Sequence, residues 1–272
     1  MDELNNNEDL REKMHEEEDI SVTDKMVGVL SEPSNLFKRL SKLELKTMDW
    51  LIPVLLVIAL AALSNFIMMS NPEIKADMMD KQIEAMEKQL QDQVDKGNMS
   101  QEQVDKIIDD TTERMDEGGM GQMIMGAVGI LVVIFITFFI IVGVFYLIIN
   151  FALGGDGSYK TAMTAYGLPY YIVALQIIVM IILAMTMNKM ITDTSVGTFL
   201  DMSKDTITGF LSHKLDVFSI WFYAAVSIGF AKMFKSESTT KYFIMVFGMW
   251  LGFSLLMYFV AQAVPFLSFL AM

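Results

Sequence analysis

In 272 residues the chain pairs a 53% hydrophobic content with 20 Lys and Arg against 33 Asp and Glu, a formal net charge of −13. That excess of negative charge sets nucleic acid aside as a partner, because phosphates would be repelled. Cysteine is absent, which excludes a disulfide, a thiolate nucleophile and a Cys-bound metal.

The charges lie apart from the apolar residues, and two acidic segments, residues 1–24 and 72–117, hold more negative charge than the whole chain's net. Residues 1–24 are polar and poor in bulky apolar groups, a composition that predicts a disordered tail. The charged N-terminal stretch has no h-region, so a cleavable signal peptide is not expected and the first span acts as its own insertion signal.

Residues 25–49 form a juxtamembrane segment. After Glu32-Pro33, a helix capped by Ser34 would place Leu36, Phe37, Leu40 and Leu43 on one face and Lys38, Arg39, Lys42 and Lys46 on the other. Two uses fit such a face. The helix can lie in the headgroup layer, with Phe37, Lys38, Arg39, Lys42 and Lys46 as membrane-surface contacts to anionic lipid, or it can pack on the protein's own spans.

Five apolar runs follow, at Trp50–Met69, Met125–Leu147, Leu168–Met187, Val217–Phe234 and Tyr242–Val264, and none has a charge in its middle. Each approaches the ~20 residues needed to cross a ~30 Å hydrocarbon core as a helix. Continuous apolar runs without alternation exclude a membrane β-barrel. The expected fold is all-α, a polytopic membrane protein of five transmembrane helices.

Between the first two runs lies a polar insertion at 70–118. Ile74, Met78, Met79, Ile83, Met86, Leu90 and Val94 recur at helical spacing, then Val104, Ile107, Ile108, Thr111 and Met115 do so after Lys96-Gly97-Asn98. Pro72 suits a first helical turn, and Ser100-Gln101-Glu102-Gln103 has the form of a capping box. The insertion therefore reads as an acidic helical hairpin whose carboxylates are a solvated face with no convergent oxygen cage for a divalent cation.

The remaining divisions are span two within 119–153, a Gly-rich loop at 154–167, span three at 168–187, a loop at 188–216, span four at 217–234, a turn at 235–241, and span five with the C-terminal residues at 242–272. Lys38, Arg39, Lys42 and Lys46 before the first span put the N-terminus in the cytoplasm by the positive-inside rule. Five crossings then put the hairpin, the 188–216 loop and the C-terminus outside a cell membrane, the inner or plasma membrane.

Several residues stand out as candidate polar bundle or interface positions: Asn150, Gly154, Gly155, Tyr159, Tyr166, Pro169, Gln176, Asp216 and Trp221. Gly154, Gly155 and Gly157 permit a tight turn that brings Ser158 and Tyr159 to the membrane surface, and their irregular spacing is no phosphate loop. Tyr166, Pro169, Tyr170 and Tyr171, with Trp50, Trp221 and Trp250, fit an interfacial aromatic belt. Asn65, Asn150, Gln176, Asn188 and Gln262 are expected to serve interhelical hydrogen bonding beside small residues such as Gly143, Gly229, Gly248 and Gly252.

His15 falls in the expected disordered tail and His213 in the 188–216 loop, where a lone His reads as a surface residue, so neither paired histidines nor a Ser-His-Asp set is expected. No catalytic residue, metal ligand or cofactor site is expected.

The order of Glu32-Pro33-Ser34-Asn35-Leu36-Phe37, a first span with Pro53, then Leu153-Gly154-Gly155-Asp156-Gly157-Ser158-Tyr159-Lys160, Ala165-Tyr166-Gly167-Leu168-Pro169, and Leu215-Asp216-Val217-Phe218-Ser219-Ile220-Trp221 before Gly229 resembles a prokaryotic member of the Yip family. The resemblance covers most of residues 30–265, with the acidic tail and hairpin as additions. It implies five spans and a cytosolic N-terminus, in a family whose eukaryotic relatives act in vesicle traffic with Rab-type GTPases. Fold kinship alone does not assign function. The expected role is a non-enzymatic scaffold or adaptor that meets membrane lipid and an unidentified membrane or cytosolic protein, with self-association into a homo-oligomer open. The alternative is lipid or small-solute permeation along Asn150, Tyr166 and Gln176.

Overall fold

The computed structural model describes residues 20–116 and 120–263. Those residues form twelve helices: α1 (Val22–Ser31), α2 (Pro33–Leu40), α3 (Met48–Ser70), α4 (Pro72–Asp95), α5 (Gln101–Asp116), α6 (Met120–Ala152), α7 (Tyr159–Gly167), α8 (Tyr170–Met187), α9 (Val196–Phe199), α10 (Ile207–Lys214), α11 (Val217–Met233) and α12 (Thr240–Ala263). Among the described residues there is no strand; a single isolated bridge joins Ser195 and Asp216.

Four helical segments are long and apolar enough to cross a membrane: Met48–Ser70, Leu131–Ala152, Tyr159–Met187 and Thr240–Gln262. The fifth apolar helix, Val217–Met233, has 17 residues and is shorter. Most of each segment's surface is left uncovered by the protein, with large apolar side chains such as Phe66, Ile140, Ile182, Ile244 and Phe253 outward. A hydrocarbon surround accounts for that exposure, and water does not.

The chain folds as two compact units whose boundaries fall inside α3, α6, α8, α11 and α12. One unit comprises residues up to Val57 together with Thr137–Ala174 and Trp221–Phe247. Here Ser21 caps α1 by accepting the Asp24 N–H at 3.1 Å. Residues 20–24, assigned above to the acidic tail, therefore belong with α1; residues 1–19 lie outside the described residues.

The second short helix starts two residues earlier than expected. Pro33 occupies its first turn, where a missing N–H costs nothing, and Glu32 rather than Ser34 is the cap residue. Leu36, Phe37 and Leu40 are buried, and Phe37 is fully so. Its ring lies against Gly229 of α11, where a Cβ would sit 3.0 Å from Phe37 Cζ and 2.9 Å from the Ala165 carbonyl oxygen. Phe37 is thus turned onto the protein's own helices and away from the headgroup layer, whereas Lys38, Arg39, Lys42 and Lys46 are exposed.

Aromatic rings fill the same unit. Trp50 stacks on Phe138 at 5.2 Å, and Tyr166 sits among Phe138, Phe145, Tyr170 and Phe222. Gly167 admits Trp50, because an added Cβ would meet the Trp50 Cβ at 2.6 Å.

The other unit comprises Ile58–Ile136, Leu175–Ile220 and the chain from Gly248. Asn71 accepts the N–H groups of Glu73 and Ile74 and opens α4 at Pro72. After α4, Gly97 takes φ +72°, where a side chain would be strained. Ser100 and Gln103 then exchange bonds, the Ser100 N–H donating to Gln103 Oε1 at 2.9 Å and the Gln103 N–H to Ser100 Oγ at 3.4 Å. Ile74 is fully buried in a cluster with Met68, Ala184 and Ile191. The hairpin is also tied to the 188–216 loop: the Met190 N–H donates to Asp77 at 2.8 Å, and Lys88 pairs with Asp205 at 2.6 Å.

Because Gly229 meets backbone as well as a ring, Gly229→Ala should overpack this contact and cost about 1–3 kcal/mol. Thermal unfolding in detergent checks it. A several-degree drop is expected, with no drop for Gly248→Ala, whose added methyl meets nothing within 4 Å.

Candidate functional site

A dense collection of polar side chains surrounds Asp216, the residue before α11. Asp216 is 2% exposed. It accepts from Gln176 Nε2 at 2.8 Å, Thr194 Oγ1 at 2.7 Å, Ser219 Oγ at 3.0 Å and the Phe218 N–H at 3.0 Å. Four donors satisfy its two oxygens, and two of them come from the start of α11, where helix termini favour an anion. Gln176 also donates to Thr194 at 3.1 Å, so both donors of its amide are engaged.

Beside it the 188–216 loop carries a second network. Asp193 Oδ1 accepts the hydroxyls of Ser195 and Thr198 and the Ser195 N–H. Ser195 Oγ lies 3.0 Å from His213 Nδ1, and His213 Nε2 donates to the Met202 carbonyl at 3.0 Å. Burial pushes the Asp193 carboxyl up, but the bonds from Ser195 and Thr198 and the nearby Lys204 charge outweigh it and hold the group below its ordinary value.

Asp193, Ser195 and His213 thus come together, contrary to the expectation that no Ser-His-Asp set could assemble, and His213 is no surface histidine. The order of contacts differs from a catalytic triad. A triad's carboxylate holds the imidazole nitrogen remote from the serine; here that nitrogen holds a backbone carbonyl and Asp193 binds the serine itself. Ser195 is fully buried and caps α9 through the Thr198 N–H at 3.2 Å, so its hydroxyl orders the loop. Gly197 is required there, since its Cβ would meet the imidazole ring at 2.5 Å.

The Gly-rich loop belongs to the other unit. Gly154 adopts φ +62°, and Gly157 lies so close to Phe234 that a Cβ would meet its ring at 2.7 Å. Gly155 is equally confined by Ile149 and Phe234. Ser158 caps α7 in a reciprocal box with Thr161. Two long side chains then reach helix-end or helix-interior carbonyls: Tyr159 OH donates to the Phe139 carbonyl at 2.9 Å, and Lys241 to that of Leu153 at 2.9 Å.

Of the other positions singled out in the sequence, Asn150 is half-buried in the last turn of α6, Pro169 is buried between α7 and α8, and Trp221 is half-buried. Tyr166 is only 3% exposed, and Trp50 and Tyr171 are buried too. These rings form interior packing in place of the expected lipid-facing belt. At the start of α3, Lys25 Nζ meets Asp49 Oδ1 at 2.8 Å with both side chains over nine-tenths buried. The other Asp49 oxygen accepts the Lys46 N–H at 2.8 Å. Neither Lys25 nor Asp49 stood out in the sequence, and the only available signal was an acid at the first turn of an apolar run with an unexplained Lys upstream.

Among the described residues no three His, Asp or Glu side chains converge as metal ligands. The Gln176 contact supplies a test of the Asp216 centre. Gln176→Leu removes a bond to a charged acceptor and should cost about 2 kcal/mol. Faster amide hydrogen exchange across residues 194–219 is the expected outcome, and unchanged exchange would show that the amide does not hold the loop.

A family model described as the Yip1 domain matches residues 27–261. No curated protein and no solved structure matches the chain.

Proposed function

The chain belongs to the Yip1 domain family, and from that premise we propose that it is a five-span, non-enzymatic membrane scaffold that presents its N-terminal helices on one side and its acidic hairpin on the other to protein partners. Helix α11 at 17 residues extends about 26 Å, within the lower range for a crossing. Asp216 before it and Lys232 and Lys235 at its far end bracket an apolar stretch, which supports a fifth crossing. With the N-terminus cytoplasmic in a cell membrane, the hairpin and the 188–216 loop lie together outside, in keeping with the Asp77–Met190 and Lys88–Asp205 contacts.

One observation carries the scaffold reading over permeation. Gln176, the amide best placed to line a path, spends both donors on Thr194 and Asp216. Exposed charges are dense on two segments. Lys38, Arg39, Lys42 and Lys46 face outward beside α2, and Asp80, Glu84, Glu87, Glu102, Asp105 and Asp109 face outward on the hairpin.

Crosslinking in native membranes followed by purification tests this. A reproducible protein partner or self-association is expected, reduced when Lys38, Arg39 and Lys42 are changed to Ala or when residues 73–116 are replaced by a short Gly-Ser linker. Recovery of neither would contradict the proposal. In liposomes, fluorescent lipid and small solutes should cross no faster than in protein-free vesicles; faster passage would favour permeation.

A further inference from the structure

Helix α2 carries two unlike faces. Leu36, Phe37 and Leu40 are buried, while Lys38, Arg39 and Lys42, within one turn of each other on the opposite side, are exposed. Among the described residues none of these three cations has an ion-pair partner. Glu32, before the helix, accepts from Asn35 at 2.8 Å, and Glu44 lies beyond its last turn. We infer that the acidic segment 1–19 of this same chain docks on that basic face and occupies it.

Sign, attachment and reach all point to that occupant. Residues 1–19 hold nine Asp and Glu against Arg11 and Lys13, a formal charge of −7, and Glu16-Glu17-Glu18-Asp19 run straight into Ile20. Ile20 is 3% exposed and lines one cavity with Lys46 and Met48, so the acidic run enters the fold beside the chain that joins α2 to α3. From Lys46 back to Lys42 is four residues, at most about 14 Å, and the four acids before Ile20 can span as much. Lys38 and Arg39 lie about one helical turn further on, within the reach of Glu12, Asp9 and Glu8. The point of attachment and the basic face belong to one compact unit, in which the Lys25–Asp49 pair ties α1 to α3 and Phe37 ties α2 to α11.

Tethering favours this segment over an acidic surface arriving from solution. Exposed ion pairs are individually weak, but a ligand on the same chain acts at an effective concentration of roughly millimolar order. A protein partner that reaches Lys38, Arg39 and Lys42 has therefore to displace residues 1–19. That consequence rests on the scaffold reading above. The docking itself does not, and it holds whichever side of the membrane the N-terminus faces.

The test uses the full chain in phosphatidylcholine nanodiscs, spin-labelled on the double variant Asn7→Cys and Ser34→Cys, since the chain has no cysteine of its own. Ser34 is exposed one turn before Lys38. Double electron–electron resonance should show a short-distance population. The combined variant Lys38→Gln, Arg39→Gln and Lys42→Gln should lose most of it at unchanged thermal stability, because all three side chains are exposed. Potassium chloride at about 1 M, where the screening length falls to about 3 Å, should do the same to the unmodified face. A distribution that the combined variant leaves unmoved would overturn the inference. So would loss of the short population when phosphatidylglycerol replaces phosphatidylcholine, which would assign the face to anionic lipid. Docking observed with no partner recovered by crosslinking contradicts the scaffold reading alone, and a recovered partner with no short-distance population contradicts the docking alone.

Discussion

Hydrocarbon offers no hydrogen-bond partner, so every backbone amide within it must be satisfied inside the chain, and every polar side chain must find a partner or stay at an edge. The apolar helices meet the first requirement by themselves. The second governs where the remaining chemistry can be placed. Asp49 stands at the first turn of α3 and meets Lys25, Asp216 stands just before α11 and meets Gln176, Thr194 and Ser219. Tyr159 and Lys241 add second bonds to carbonyls of α6 and its C-terminal end.

With charged groups kept out of the middles of the apolar helices, packing between helices rests on shape. Rings enter where glycine leaves room: Phe37 at Gly229, Trp50 at Gly167, Phe234 at Gly157. Such contacts are close because no Cβ intervenes, and dispersion grows with that closeness. The N-terminal helices are held by both devices at once, an aromatic anchor through Phe37 and a buried ion pair through Lys25. Breaking a buried pair from one side costs about 3–5 kcal/mol, so α1 and α2 are fixed parts of their unit.

Four membrane-length apolar helices and the two helices of the polar insertion were legible because each is written locally. Runs free of charge, the Gly97 turn and the Ser100–Gln103 box need only neighbours in sequence. The helix start at Pro33 was misread by two residues because Ser34 is a strong cap type, while the proline's tolerance for the first turn decided the matter. Phe37 was ambiguous, since an amphipathic face looks the same whether it meets lipid or a neighbouring helix; Gly229, far along the chain, settles it. The polar centres were illegible for the same reason. Gln176 and Asp216 were singled out separately, but nothing in spacing joins them, nor Lys25 with Asp49, nor Ser195 with His213. The rings of Trp50 and Tyr166 suggested a membrane belt because interface and interior favour the same residue types.

Five crossings require the loop before α11 and the turn after it to face opposite compartments, and the short α11 is where that requirement is most exposed. Because the chain contains no cysteine, single substitutions at Ser34, Asn98, Ser203 and Ser238 can be labelled one at a time with a membrane-impermeant maleimide in sealed right-side-out vesicles. Asn98→Cys and Ser203→Cys should react directly, and Ser34→Cys and Ser238→Cys only after permeabilisation. Reaction of Ser203→Cys and Ser238→Cys from the same side would contradict the fifth crossing and the architecture built on it.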